Sequence, residues 1–238
     1  DEPELALTPV TTEQATGLER ALRNGEWVVS VELDPPKGGS LDGLVEVARA
    51  IRGSGHAGYV DVNDNPMARA RMNALMTSAT LQREAGIETI PHVTPRDTTV
   101  MGLEGVLLGA HAEGVRNILA VTGDPPHVGD YPGSRGVYEV DSIGLVQLLS
   151  ALNRGEDYVG KGIDAPTSFF VGVAVNPSAD DLELELERFE RKLEAGAQFA
   201  MTQILFDLGY LDAFLAHFGG RSPIPLLVHK VRRSGSTP

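Results

Sequence analysis

From residue 27 to the end of the chain, short runs of β-branched and aromatic residues alternate with amphipathic stretches of about ten to twenty residues. The spacing predicts strands over 27–33, 59–63, 88–93, 117–122, 169–175, 199–206 and 224–229. Helices are predicted near 41–53, 67–86, 101–114, 141–154, 180–195 and 209–218. The strands are too apolar on both faces to border water, so both faces are expected to be covered by helices. Seven such units without a midway break in composition predict an α/β fold of the TIM (β/α)8-barrel type, with an open doubly wound sheet as the competing arrangement. The barrel would occupy residues 15–238, and the acidic, Thr/Pro-rich 1–14 would be an arm or linker.

Composition narrows the chemistry. With 33 acidic against 20 basic side chains and a formal charge of −13, no basic surface is left for nucleic acid or an anionic membrane. The absence of cysteine removes disulfides, thiolate nucleophiles and zinc–thiolate or cysteine-ligated iron–sulfur sites. The longest strongly apolar run, 169–175, is far short of the roughly 20 residues of a membrane span. The first residues have neither the basic start nor the apolar stretch of a secretion signal, so a cytoplasmic location is expected. No two histidines have metal-ligand spacing, and no metal site is expected.

In a parallel barrel the chemistry sits where strands end and helices begin. The unusual polar residues fall at those ends: Glu32 with Asp34-Pro35-Pro36, Asn63-Asp64-Asn65, His92-Val93-Thr94, Thr122-Gly123-Asp124, Asn176-Pro177 and Gln203. Gly53-Ser54-Gly55-His56-Ala57-Gly58 fits the G-x-G-x-x-G spacing, but it follows a helix and precedes a strand, so it reads as a helix C-cap and turn. Glu32 is either a paired core acid or a general acid, whose pKa an apolar pocket would raise. On residues alone, Asp124 is equally a turn former before Pro-Pro, Gln203 a barrel-interior glutamine and His92 a structural histidine. In 180–195, Leu182, Leu186, Phe189 and Leu193 form a core stripe. Asp181, Glu185, Arg188 and Lys192 form a second stripe, which is either a solvated face or a binding surface.

The segments Val31-Glu32-Leu33-Asp34-Pro35-Pro36, Pro91-His92-Val93-Thr94, Ala120-Val121-Thr122-Gly123-Asp124-Pro125-Pro126, Glu194-Ala195-Gly196-Ala197 and Thr202-Gln203-Ile204-Leu205-Phe206-Asp207 occur in an order and spacing that resembles the methylenetetrahydrofolate reductase family. The likeness covers residues 25 to 210 or so. The flanks Asp141-Ser142-Ile143-Gly144 and Ala174-Val175-Asn176-Pro177 look more like the reductase domains fused behind a homocysteine methyltransferase than the stand-alone enzymes.

The resemblance implies a TIM barrel holding FAD. NAD(P)H would reduce the flavin, and 5,10-methylenetetrahydrofolate would reoxidise it to give 5-methyltetrahydrofolate in a ping-pong cycle. Glu32 falls on the proton donor, Asp124 on the aspartate beside flavin and pterin, and Gln203 on a folate-binding residue. Asn63, His92, Thr94, Thr122, Gly123, Asp141, Ser142, Asn176 and Asp180 fall on or near flavin-contacting positions. Glu185, Arg188, Arg191 and Lys192 fall on the helix that contacts ribose and phosphate. Thr122 and Asn176 depart from the arginine and tyrosine of many stand-alone members, which weakens those two assignments. A homo-oligomer or a fused methyltransferase domain is the partner the resemblance suggests. The Leu227–Arg233 segment runs into Ser-Gly-Ser-Thr-Pro where the family continues to an eighth unit. The chain is therefore expected to be a fragment, or to be closed by its N-terminal arm or another subunit. The alternatives are a truncated, inactive reductase-like module and a flavin-free folate one-carbon transferase.

Overall fold

The computed structural model describes residues 15–229. The expected arm at 1–14 and the end of the chain lie outside them. The elements follow in the order α1 (Gly17–Arg23), β1 (Ser30–Leu33), α2 (Asp42–Ser54), β2 (Tyr59–Val62), α3 (Ala74–Ala85), β3 (Glu88–Val93), α4 (Val100–Ala112), β4 (Asn117–Ala120), α5 (Ser142–Arg154), β5 (Phe170–Val175), α6 (Leu182–Ala195), β6 (Phe199–Thr202), α7 (Gly209–Ala216) and β7 (Leu226–Leu227). The seven strands form one parallel sheet in sequence order. Among the described residues β1 and β7 do not pair, so this is a TIM-like barrel one βα unit short and open along that seam. The curl is nonetheless strong: Glu32, on β1, and His229, just past β7, are 3.8 Å apart across the seam.

Alternation along each strand sorts the side chains into two cores. Outward residues pack under helices: Val60 and Val62 beneath α2 and α3, and Val93, Ile118, Ala120, Val171, Val173 and Val175 beneath α3 to α6. Inward residues Ile90, Leu119, Phe170, Phe199 and Met201 pack against one another. The expectation that helices cover both faces is therefore corrected, because the inner face is buried by the curl of the sheet itself. Phe170 and Phe199 stack at 4.8 Å. Gly172 supplies the room, since a Cβ there would overlap the Phe199 ring.

The periodicity did not predict α1, which plugs the barrel at the strands' N-terminal end. Leu18 is fully buried in the inner cluster. Thr16 caps the helix by accepting from the Glu19 N–H at 3.0 Å, and its hydroxyl donates to Asn117 Oδ1 at 2.7 Å. The Glu88 carboxylate accepts from the Gly17 and Leu18 N–H groups, both at 2.9 Å, and from Asn117 Nδ2 at 2.8 Å. It thus neutralises the positive end of α1 and binds it to β3 and β4. Gly17 allows this approach, because a Cβ there would lie 2.5 Å from the carboxylate.

Several boundaries move for identifiable reasons. The first strand begins at Ser30, leaving Trp27 92% exposed, and the sixth ends at Thr202, leaving Phe206 82% exposed. The third helix starts at Ala74, where Asn73 caps it by accepting from Met76 N–H; residues Pro66–Ala68 form a separate turn closed by the Arg69 N–H on Pro66 O. Gly55 is a left-handed C-cap at φ 68°, as the reading of its glycine cluster anticipated. Glu88→Ala should lower unfolding free energy by about 1.5–3 kcal/mol, since it strips a charged acceptor from two helix N–H groups and an asparagine. Chemical denaturation of the variant measures this, and an unchanged midpoint would show that α1 is held by Leu18 alone.

Candidate functional site

The C-terminal ends of the strands surround a cavity of about 490 Å³. Its lining includes Glu32, Asn63, His92, Thr94, Thr122, Gly123, Asp124, Ser142, Asn176, Glu185, Lys192 and Gln203. Of the residues to which the resemblance gives a role, Asp141, Asp180, Arg188 and Arg191 do not line it, nor do Asp34 and Asn65 of the strand-end clusters. Asp141 caps α5, its carboxylate accepting from Ile143 and Gly144 N–H at 2.9 Å each. Arg188 is half-buried on α6, whereas Arg191 and Asp180 are exposed.

Several lining groups are already committed to one another. Thr94 donates both its N–H (3.0 Å) and its hydroxyl (2.9 Å) to Asp64, whose carboxyl burial pushes above the usual range. Asn63 Nδ2 donates to Asp34 at 2.8 Å, tying the loop after β1 to that after β2. Glu185 accepts from the Asn176 N–H at 2.9 Å. Lys192 is buried against the wall and donates to Ala174 O at 2.7 Å. Burial pulls its ammonium below the ordinary lysine range, with Glu185 opposing. One of its three donors is spent and two remain. Gln203 and Glu32 are exposed into the mouth. The apolar enclosure anticipated around Glu32 is not formed, since 40% of its side chain is accessible.

The mouth is built on Arg96, which is 2% exposed. Its guanidinium grips Asp97 through two bonds of 2.9 and 2.7 Å and donates to Asp124 O at 3.1 Å. That pairing holds the Asp97 carboxyl below its usual range. Opposite, the Asp124 carboxylate accepts from the Met67 N–H at 2.7 Å. Met67, with Asn65 and Ala68, has positive φ, at 55°, 45° and 53°. Such backbone costs on the order of 1–3 kcal/mol per residue and persists only where its surroundings impose it. Asp124 is thus bonded into the wall at one oxygen.

Two residues escaped the sequence reading, His229 in the cavity lining and Asp61 buried behind it. His229 is pinned by its N–H to Thr202 Oγ1 at 2.9 Å and reaches towards Glu32. Asp61 is 4% exposed, accepts from Ser30 Oγ at 2.5 Å and lies 3.8 Å from His92 Nε2. Strand alternation could have found Asp61, because it shares its face with Tyr59 of the inner cluster. No group of three or more His, Asp or Glu among the described residues is arranged to hold a metal ion, and none of their helices is long and apolar enough to cross a membrane.

Burial lowers the His92 pKa to about 4, against 6.5 for a free imidazole. Between those values the unfolded chain binds a proton that the folded one refuses, so this contribution is complete above about pH 6.5 and lost as pH falls towards 4. In that window wild type should lose stability relative to His92→Gln by up to about 1.4 kcal/mol per pH unit. Denaturation at pH 7.5, 6, 5 and 4 measures the difference, and parallel curves would place His92 in water.

Comparison with known proteins now bears on this site. Residues 17–226 match the family model described as methylenetetrahydrofolate reductase. A 5,10-methylenetetrahydrofolate reductase of Escherichia coli (strain K12) is 28% identical over 186 residues, 77% of this chain and 57% of that protein. Methylenetetrahydrofolate reductase 2 of Saccharomyces cerevisiae is 29% identical over 160 residues, 63% of this chain and 24% of that protein. The match thus spans from about a quarter to just over half the length of these relatives. Among solved structures, an oxaloacetate acetylhydrolase superposes with a TM-score of 0.60 at 14% identity, covering 93% of this chain and 72% of its own. A 2,3-dimethylmalate lyase gives 0.55 at 12%, covering 93% and 72%. These two likenesses speak for the barrel fold alone. With nearly all of the described βα units inside the matched span, the chain belongs to the methylenetetrahydrofolate reductase family.

Proposed function

We propose that this barrel reduces 5,10-methylenetetrahydrofolate to 5-methyltetrahydrofolate with electrons from NAD(P)H, using FAD held in the cavity at the strands' C-terminal ends. The observation that carries the reading is the convergence of Glu32, Asp124 and Gln203, from three separated strand ends, on one cavity with Lys192 in its wall. The donor set suits the cofactor. The edge of the His92 ring that lines the cavity, backbone at Thr122 and Gly123, and two spare Lys192 donors offer polar contacts for a ring and for phosphate. Asn63, His92, Thr94, Thr122, Gly123 and Asn176 would border the ring, and Lys192, with Glu185 fixing the loop before it, the ribose and pyrophosphate.

Bound FAD would supply the hydride relay between nicotinamide and folate. The chain supplies the proton and the alignment. Glu32 protonates the folate ring nitrogen whose C–N bond opens, so that the bridging carbon becomes an iminium able to accept hydride. Its exposure in the mouth lets solvent replace the proton after each turnover. Gln203 offers an amide donor and acceptor to the pterin edge. Asp124 keeps one oxygen for the substrate's amino groups, the other being fixed by Met67 N–H.

Glu32→Gln should retain NAD(P)H oxidation by an artificial dye yet lose methylenetetrahydrofolate-dependent oxidation by on the order of 10²-fold or more. Equal loss of both would refute the acid assignment. The purified chain should carry flavin absorbance, and a colourless protein that binds folate would favour the flavin-free alternative. Lys192→Met should weaken FAD binding about 10- to 100-fold, one charge-assisted contact being worth roughly 1.5–3 kcal/mol, while Arg191→Ala, on the exposed side of α6, should not. The opposite ranking in flavin titrations would move the phosphate site to the outer face of the helix.

A further inference from the structure

Asp61 has no part in the chemistry above, yet it is a carboxylate inside the barrel. It lies on the inward face of β2, 4% exposed, one strand from both Ser30 and His92. The Ser30 hydroxyl donates to its Oδ1 at 2.5 Å, the spacing of an O–H···O⁻ bond. Its Oδ2 faces His92 Nε2 at 3.8 Å, and that nitrogen is buried with no hydrogen-bond partner. His92 lines the cavity with 13% of its side chain accessible, and Nδ1, unlike Nε2, is not among the enclosed, unpartnered atoms.

A neutral imidazole has one N–H and one lone pair, and His92 is neutral at physiological pH. If the lone pair were on Nε2 it would point at an anion inside a low-dielectric wall, where unpaired polar groups are costly. With the proton on Nε2, the same pair attracts and closes. Glu32 and His229, from the two sides of the seam, and Asp34 beyond β1 are the other titratable groups that act on this ring.

We propose that Asp61 is a positioning residue: held by Ser30, it fixes His92 in the Nε2–H tautomer, so that Nδ1 meets the cavity as an acceptor for an N–H group of a bound heterocycle. The tautomer rests on this chain's geometry, whereas the choice of FAD or folate as the N–H bearer rests on the functional reading above. The site would thereby prefer a ring edge that presents N–H over one that presents a carbonyl.

The decisive substitution is Asp61→Asn. Ser30 would still donate to the amide oxygen, turning the NH2 towards His92 Nε2, which must then accept; the ring proton moves to Nδ1 and the cavity meets a donor instead. Tautomer-sensitive ¹H–¹⁵N spectra of histidine-labelled protein, with His92 assigned by His92→Gln, should show Nε2–H in wild type and Nδ1–H in Asp61→Asn. Ser30→Ala, which frees the carboxylate without removing it, should give a mixture. FAD and tetrahydrofolate titrated separately should identify the N–H bearer as the one that loses about tenfold or more in affinity for Asp61→Asn. An Nδ1–H ring in wild type, or the same tautomer in a folded Asp61→Asn, overturns the proposal. A flipped tautomer with both affinities unchanged overturns its ligand-facing half. If neither FAD nor tetrahydrofolate binds wild type, the functional reading fails, and the spectra still decide the tautomer.

Discussion

A parallel sheet whose two faces are both apolar has to hide both, and this chain does so by curling. Outward side chains go under helices; inward ones fill the space the curl encloses. Filling works at the bottom and middle, where Phe170, Phe199, Leu119, Ile90 and Met201 meet over the docked α1. Towards the C-terminal ends the inward positions are Glu32, Asp61 and His92, which cannot pack as a dry core, and the interior opens into a polar cavity. The division between plug and pocket is thus a division in the inward-facing sequence. Glu88 secures the lower half, because without α1 the aromatic layer would face water at its base.

The upper half depends on a buried cation. Arg96 would be expensive at 2% exposure without compensation, and it is met by the Asp97 carboxylate and by backbone carbonyls from the loops after β2 and β4. These bonds place three loops in one layer, in which Asn65, Met67 and Ala68 have left-handed backbone. The Asp124 carboxylate is aligned by that layer, its carbonyl bound to Arg96 and one carboxylate oxygen to Met67. A rigid rim of this kind keeps a carboxylate fixed without a partner side chain, which suits a group that has to meet a ligand.

Much of this was legible in the sequence because it follows from period and position. The seven strands lie where β-branched runs recur, and the stripe Leu182, Leu186, Phe189 and Leu193 does face the core. The residues gathered in the cavity are the polar ones at strand ends. What escaped depends on partners distant in sequence. Helix α1 has seven residues, too few for periodicity to stand out, and is held by contacts made 70 or more positions away. Trp27 reads as a strand residue by propensity, but the register with Tyr59 starts at Ser30. The open seam beside Glu32 followed from the missing eighth unit, but the approach of His229 to 3.8 Å across it did not, because it depends on the curl of the whole sheet.

That seam also gives His229 its place. In a closed barrel a strand would separate the ends of β1 and the last strand described here; in this chain the curl brings Glu32 and His229 to 3.8 Å instead. The imidazole is anchored through its own backbone, with its N–H on Thr202 and its carbonyl accepting from Leu205 at 3.1 Å, so its approach to Glu32 follows from β6 rather than from any pairing with β1. Two carboxylate–imidazole pairs therefore flank one another, Glu32 with His229 at the rim and Asp61 with His92 beneath. The outer pair is open to water, 26% and 40% of its side chains accessible, and the inner pair is largely buried, at 13% and 5%. The same two residue types are thereby divided by burial: the outer pair meets solvent and ligand at the mouth, and the inner pair is enclosed by the wall, where the Asp61 carboxylate faces an imidazole nitrogen that has no other partner.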